Sequence, residues 1–298
     1  MHPELSALGW NEGMTDELHP GLEPARVTAV HRGRVAVRAA SGPRLAPVAG
    51  ALVHDGEVPV VGDWVGLDAG GAVRQVLPRL GVIRRADGAT VEVLAANVDL
   101  ALLATSMNRD LNPRRLARFL AITARGDVEP VVLLTKSDLS EDPMWVADDV
   151  REALGGTPVL TVSVHDGTGM AAVTALLAPG ITAVLLGSSG VGKSTLLNAL
   201  LGEERQATAE IRASDDRGRH TTVRRELVAL PSGALLIDTP GLRLVAPLED
   251  HDEPIPHVDD PAQLKRERRE RERAFHRSMY RDMRAMRHDR ERRERRHG

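Results

Sequence analysis

The chain of 298 residues contains no cysteine. That excludes disulfide stapling and any zinc site built on thiolates, and it fits a reducing cytoplasm. Aromatic residues are almost as scarce, with two Phe, one Tyr and three Trp. A core must therefore come from Val, Leu, Ile and Ala, and stacking on aromatic rings is disfavoured as the main mode of nucleic-acid contact. No uninterrupted apolar run approaches the roughly 18 residues needed to cross a bilayer. The N-terminal stretch, with Glu4, Glu12, Asp16 and Glu17, lacks the basic-then-apolar order of a secretory leader. The expectation is a soluble cytoplasmic protein without a membrane partner.

What is present is a set of nucleotide motifs. Gly187-Ser188-Ser189-Gly190-Val191-Gly192-Lys193-Ser194 matches G-x-x-x-x-G-K-[ST] at every fixed position, and Thr195 follows. The run 181–186 before it is short, apolar and suited to a buried parallel strand, while Leu196, Leu197, Leu200 and Leu201 recur at helical spacing. A strand, a Gly-rich turn and a helix N-terminus make a phosphate cradle, because backbone N–H groups converge on the anion. Lys193 is expected on the β- and γ-phosphates and the Ser194 hydroxyl on Mg²⁺. A chance Gly/Ser turn before a helix would leave the other motifs unexplained.

Base selection is assigned to Thr135-Lys136-Ser137-Asp138, which follows the apolar run 130–134 and matches [NT]-K-x-D. A carboxylate at Asp138 can accept from guanine N1–H and N2–H together, a donor pair that adenine lacks. Ser163-Val164, after the apolar run 158–162, holds the place of a second guanine-contacting loop. Its letters are degenerate, and a plain strand-to-helix turn fits them nearly as well.

Asp238-Thr239-Pro240-Gly241 follows the run 234–237. Asp238 is expected to approach Mg²⁺ through water, and the Gly241 N–H to sense the γ-phosphate. The next position, which often holds a water-orienting Gln in Ras-like enzymes, is Leu242. Between the phosphate loop and this motif lies Arg217-Gly218-Arg219-His220-Thr221-Thr222. A hydroxyl of Thr221 or Thr222 could complete the Mg²⁺ shell and His220 could orient water, although on spacing alone His220 reads as an ordinary exposed loop His.

The order of these motifs is rotated: the base-reading motif comes first, then the phosphate loop, then Asp238-Thr239-Pro240-Gly241. The chain reads as a circularly permuted GTPase. With this order, and with Val61-Gly62-Asp63-Trp64-Val65, Val76-Leu77-Pro78-Arg79, Ala95-Ala96-Asn97-Val98-Asp99 and Gly218-Arg219-His220-Thr221-Thr222, it resembles the RsgA (YjeQ) family of small-ribosomal-subunit biogenesis GTPases from about residue 26 to 245. The resemblance implies GTP hydrolysis stimulated by the 30S subunit late in its assembly, and an N-terminal OB-fold that binds 16S rRNA. It also places the family's catalytic His on His220. One departure is plain: the family's usual zinc module needs three Cys, and this chain has none. His251, His257, His276, His288 and His297 are scattered in a charged tail, so no zinc is expected.

The expected layout is a flexible lead over 1–24, an OB-like β-barrel over 25–88, a permuted P-loop GTPase domain over 89–248, and a charged tail over 249–298. Short Val-rich runs at 34–38, 63–67 and 72–76 alternate with Gly/Pro/Asp turns, without a helix between them. Pattern alone reads as a small barrel, and the resemblance chooses OB. Arg32, Arg34, Arg38 and Arg44 are candidate phosphate contacts on it. Strand candidates at 99–104, 130–134, 158–162, 181–186 and 234–237 then alternate with helices near 113–125, 143–154, 169–178 and 193–201. That is an α/β doubly wound sheet with its ligand at the carboxyl ends of the strands.

The net charge of −3 hides a polarised molecule. Residues 249–260 carry six acidic residues and no Lys or Arg, whereas 262–298 hold 15 Lys/Arg against 7 Asp/Glu. Arg/Glu repeats with Met279, Met283 and Met286 suggest a long helix. A helix docking onto rRNA with counterion release is the functional reading, and a solvated charged helix the plain one. The sequence thus predicts a monomeric, Mg²⁺-dependent GTPase that binds GTP and GDP. The alternative is a nucleotide-gated rRNA-binding module with negligible hydrolysis. A small-molecule kinase fits poorly, because it leaves Lys136 and Asp138 without a role.

Overall fold

The computed structural model describes residues 3–87, 90–107, 111–202 and 225–239. Helix α1 (Pro3–Ser6) opens a stretch expected to be a flexible lead. That expectation is corrected: Leu5 and Leu8 are 1% and 4% exposed, in the core cluster that holds Trp64, Ile83 and Leu94. The Trp10 ring meets Trp64 edge to face at 4.8 Å. A few apolar residues in a short segment carry no periodicity to read, and the hollow that receives them is assembled from distant parts of the chain.

Strands β1 (Glu23–His31), β2 (Arg34–Ala39) and β3 (Gly42–Pro47) form an antiparallel meander. Helix α2 (Gly50–His54) follows, where no helix was expected; five residues are too few for a helical pattern to show, and Leu52 alone is buried. Strand β4 (Trp64–Leu67) returns to pair with β1, β5 (Val73–Val76) pairs with β4, and a bridge between Val48 and Val73 links the two ends. Alternation drives the closure. Val35, Val37 and Ala39 point inward with Ala25, Val27, Val65 and Leu67, while Arg34 and Arg38 point out.

Strands β6 (Val82–Asp87) and β7 (Thr90–Ala96) form a separate hairpin, so the division expected at 88/89 falls between two paired strands. The alternating part follows: β8 (Leu100–Ser106), α3 (Pro113–Arg125), β9 (Glu129–Thr135), α4 (Pro143–Ala153), β10 (Val159–Val162), α5 (Met170–Leu176), β11 (Thr182–Gly187), α6 (Lys193–Leu201), β12 (Glu226–Ala229) and β13 (Leu235–Asp238). Helices α3 and α4 each start at an Asn or Asp cap followed by Pro; Asn112 accepts from Arg115 N–H and Asp142 from Trp145 N–H. The sheet order is β10-β9-β8-β11-β13, all parallel, with β12 antiparallel to β13. β8 is buried on both faces: Ala101 and Leu103 join the α3 and α4 side chains, and Leu100 and Leu102 join those of α5 and α6. Among the described helices none is long and apolar enough to cross a membrane.

The antiparallel unit is bolted to this sheet. β1 adds to the edge of β12 through Ala29 and Glu226, making one continuous sheet. Arg26, only 2% exposed, donates to the carbonyls of Leu8 and Asn97 and to the Thr182 hydroxyl, and lies over the Trp64 ring at 5.1 Å. Burial pulls its guanidinium down to about 10, against the attraction of Asp99 and Asp63, so it stays charged at neutral pH. Asp63 accepts both arms of Arg79 at 2.8 and 2.7 Å; burial pushes its carboxyl up despite them. Asn97 donates to Gly62 O and accepts from Leu80 N–H. Arg26→Met leaves buried carbonyls unpaired, and is expected to lower unfolding stability by about 2–4 kcal/mol. Urea denaturation reads it directly, and a loss within error of zero would show that the bolt contributes nothing.

Candidate functional site

Parallel strands bring their carboxyl ends to one rim. The register aligns Ala104 with Gly187, Ser106 with Thr135, Thr135 with Val162 and Leu185 with Asp238. The loops that follow β9, β10, β11 and β13 are the four that carry nucleotide motifs, and this rim is where open α/β sheets hold ligands.

β11 leaves the sheet at Gly187. A Cβ there would sit 2.4 Å from the Ala104 carbonyl oxygen, so a side chain would force β11 off β8 where the loop begins. Ser188, Ser189, Gly190 and Val191 form the turn, and Gly192, at φ +98°, feeds the chain into α6. The left-handed region at Gly192 favours glycine and leaves the first N–H groups of α6 facing the rim. Ser194 and Thr195 lie in that first turn. The Lys193 ammonium donates to Gly187 O at 2.8 Å and to Ser188 O at 2.5 Å, which folds it back over the loop.

The base motif is tied to this loop. The buried Thr135 hydroxyl lies 2.6 Å from Val191 O and 3.3 Å from Thr105 O; its one proton goes to the nearer oxygen. Lys136, left-handed at φ +57°, extends its ammonium to Gly190 O at 2.8 Å. Two consecutive residues of the base motif therefore hold two consecutive carbonyls of the phosphate loop. Ser137 is buried beneath a single 3₁₀ turn (Ser137–Leu139), which leaves Asp138 exposed on the rim.

Ser163, buried after β10, donates its N–H to Thr168 O, and the Thr168 N–H returns to the Asp166 carboxylate at 2.9 Å. That backbone donation, with the Thr168 hydroxyl, holds the Asp166 carboxyl below the ordinary range. The loop is closed on itself, and Val164 within it is half-buried.

Asp238 is 7% exposed at the end of β13, and the Thr239 hydroxyl donates to Leu185 O at 2.8 Å. Sequence reasoning missed the hydroxyls of Thr135 and Thr239. Each secures one motif to another element, and only the fold reveals the acceptor. The expected sites His220, Thr221, Thr222 and Gly241 lie outside the described residues, as do Leu242 and the tail. Of the four arginines expected as phosphate contacts, Arg32, Arg34 and Arg38 are exposed, whereas Arg44 is engaged by Glu23 and the Ser41 hydroxyl.

This arrangement has known counterparts. A family model described as RsgA GTPase matches residues 76–246. A protein of Opitutus terrae named small ribosomal subunit biogenesis GTPase RsgA is 42% identical over 263 residues, covering 80% of this chain and 72% of its own length. The crystal structure of YjeQ from Thermotoga maritima superposes with a TM-score of 0.57 at 25% identity, over 76% of this chain and 77% of the other. That of YloQ, described as a circularly permuted GTPase, gives 0.51 at 23% identity, over 76% and 73%, a likeness of fold. The match to the family model and the identity to its curated relative lead to one conclusion: the chain belongs to the RsgA GTPase family.

Proposed function

We propose that this GTPase acts on the small ribosomal subunit late in its maturation, hydrolysing GTP to GDP and phosphate with Mg²⁺. The observation that carries the reading is the pair of hydrogen bonds from Thr135 and Lys136 to Val191 O and Gly190 O. They fix the base-reading loop against the phosphate-reading loop, so that one guanine nucleotide spans both. Guanine falls to Asp138 with Ser163 and Val164 alongside; the phosphates fall to residues 187–195 and the Gly241 N–H. Oxygen donors suit Mg²⁺, and the hydroxyl of Ser194, a hydroxyl of Thr221 or Thr222, and the Asp238 carboxylate through water are the groups that would hold it. The ion would neutralise charge on the β- and γ-phosphates.

In this reading His220 orients the attacking water, a task that Leu242 cannot perform. The antiparallel unit is an OB-type barrel: its pairing order β1-β2-β3-β5-β4 and the helix between β3 and β4 support that assignment. Exposed Arg32, Arg34 and Arg38 and the basic tail contact 16S rRNA phosphates. β12 follows the segment that holds His220 in the chain and pairs with the barrel strand β1, a route by which GTP would set the pose of the barrel on the particle. The protein works as a cytoplasmic monomer.

Turnover of GTP alone, with purified 30S and with 50S subunits, tests the proposal at fixed low salt. Stimulation by 30S alone is expected, with His220→Ala lowering the stimulated rate by about 10²–10⁴-fold. Tight GTP binding without stimulation by either subunit would leave a nucleotide-gated binder instead, the reading that Leu242 favours.

A further inference from the structure

We infer that Asp166 is a positioning residue for guanine: its carboxylate holds the turn after β10 in the shape that meets O6 of the base. This rests on the guanine-nucleotide reading proposed above, and it gives a role to a residue outside every nucleotide motif. Thr135 and Val162 are register partners at the ends of the parallel strands β9 and β10, so the turns that follow them leave the same rim. The first turn presents exposed Asp138, whose carboxylate suits the N1–H and N2–H donors of guanine. Beside those donors guanine carries an acceptor, O6, which a carboxylate cannot serve. A donor has to come from a neighbouring turn. On the side of β9 away from β11 and its phosphate loop, that neighbour is the turn after β10. Its backbone N–H groups aim at one place only while the turn keeps its shape.

Hydrogen bonds within residues 163–168 set that shape. Buried Ser163 donates its N–H to Thr168 O at 2.9 Å, which brings the two ends of the turn together. From the middle, Asp166 reaches both ends. Its N–H points to the Ser163 hydroxyl at 3.4 Å, and its Oδ1 accepts from the Thr168 N–H at 2.9 Å. Gly167, left-handed at φ +82°, makes the bend between Asp166 and Thr168. Gly169 lies so close to β10 that a Cβ on it would sit 2.0 Å from Thr161 O, which fixes the exit into α5. The Asp166 side chain is exposed, so packing does not account for it. Removing its carboxylate leaves the Ser163–Thr168 bond and both glycines in place, but it releases the stretch between them. That stretch includes Val164, on the base side in the proposed reading.

The test is equilibrium binding of GTP, inosine triphosphate and ATP to the full chain and to its Asp166→Ala and Asp166→Asn variants, with ATP read by competition. Asp166→Ala is expected to weaken GTP and inosine triphosphate by one common factor, about three- to tenfold, the worth of one hydrogen bond. The factor is common because both bases carry O6, and inosine lacks only the N2–H₂ group that falls to Asp138. ATP has no O6, so its weak binding should stay as it is, and the preference for GTP narrows. Asp166→Asn keeps an oxygen for the Thr168 N–H and should bind as the parent does. Equal GTP binding by the parent and Asp166→Ala overturns the inference and leaves the GTPase reading standing. A loss shared by ATP also overturns it, making Asp166 merely structural. So does an Asn variant as weak as the Ala variant, because charge and not the acceptor would then matter. A parent that binds no guanine nucleotide removes the proposed function, and this inference with it.

Discussion

Asp138→Asn is expected to lower GTP affinity by at least about 100-fold and to make xanthosine triphosphate the better ligand. On the proposed reading the carboxylate accepts from guanine N1–H and N2–H at once, and an amide can match only one of them, leaving N2–H facing an amide donor. Xanthine carries a carbonyl where guanine carries N2–H₂, so the same amide becomes complementary. The scaffold should be indifferent to the change. Asp138 is exposed, while the groups that position it, buried Ser137 and left-handed Lys136, are untouched. Equilibrium titration with GTP, ATP and xanthosine triphosphate on both proteins decides it. An unchanged preference for GTP would remove Asp138 from the base site and return the turn after β9 to a structural role. Loss of all nucleotide binding would point instead to a disturbed loop.

Much of this site was legible before any fold was built, and the reason is physical. Phosphate binding needs backbone amides at a helix start, a condition met by glycines at fixed spacing, and fixed spacing is what a sequence displays. The parallel strands were equally plain, since burial on both faces writes itself as an unbroken apolar run, as in residues 100–104. What stayed hidden depends on partners far along the chain. The Thr135 hydroxyl needs Val191 O, 56 residues away, and Arg26 needs Thr182, 156 residues away. Asp63, Arg79 and Asn97 belonged to motif stretches with no evident chemistry; the structure makes them the joint between barrel and sheet. The packed N-terminal segment and helix α2 escaped notice for another reason, being too short to show a period. Asp63 and Arg79 also show that a charged pair in a motif can be structural. The same sequence logic that found the phosphate loop had no means of telling the two apart.

Lys193→Ala is expected to reduce GTP turnover by at least about 10³-fold, and triphosphate affinity more than the stability of the fold. Two consequences follow from where its ammonium lies. It donates to Gly187 O and Ser188 O within its own loop, so removing it loosens the loop locally, for about 1 kcal/mol, and leaves α6 and its buried Leu196 and Leu197 in place. The second concerns the nucleotide. On the proposed reading a γ-phosphate draws the same ammonium, so Lys193 would exchange backbone carbonyls for phosphate oxygens, which favours the triphosphate because the charge there is greater. Thr135 and Lys136 hold Val191 and Gly190 independently of it, so the loop of the variant stays fastened to the base motif. GDP affinity should therefore fall less than GTP affinity. Thermal unfolding with no nucleotide, with GDP and with a non-hydrolysable GTP analogue separates these contributions in one experiment. If GDP and the analogue lose protection equally, Lys193 acts only as a fastener of the loop, and the γ-phosphate must be recognised by other groups on the rim.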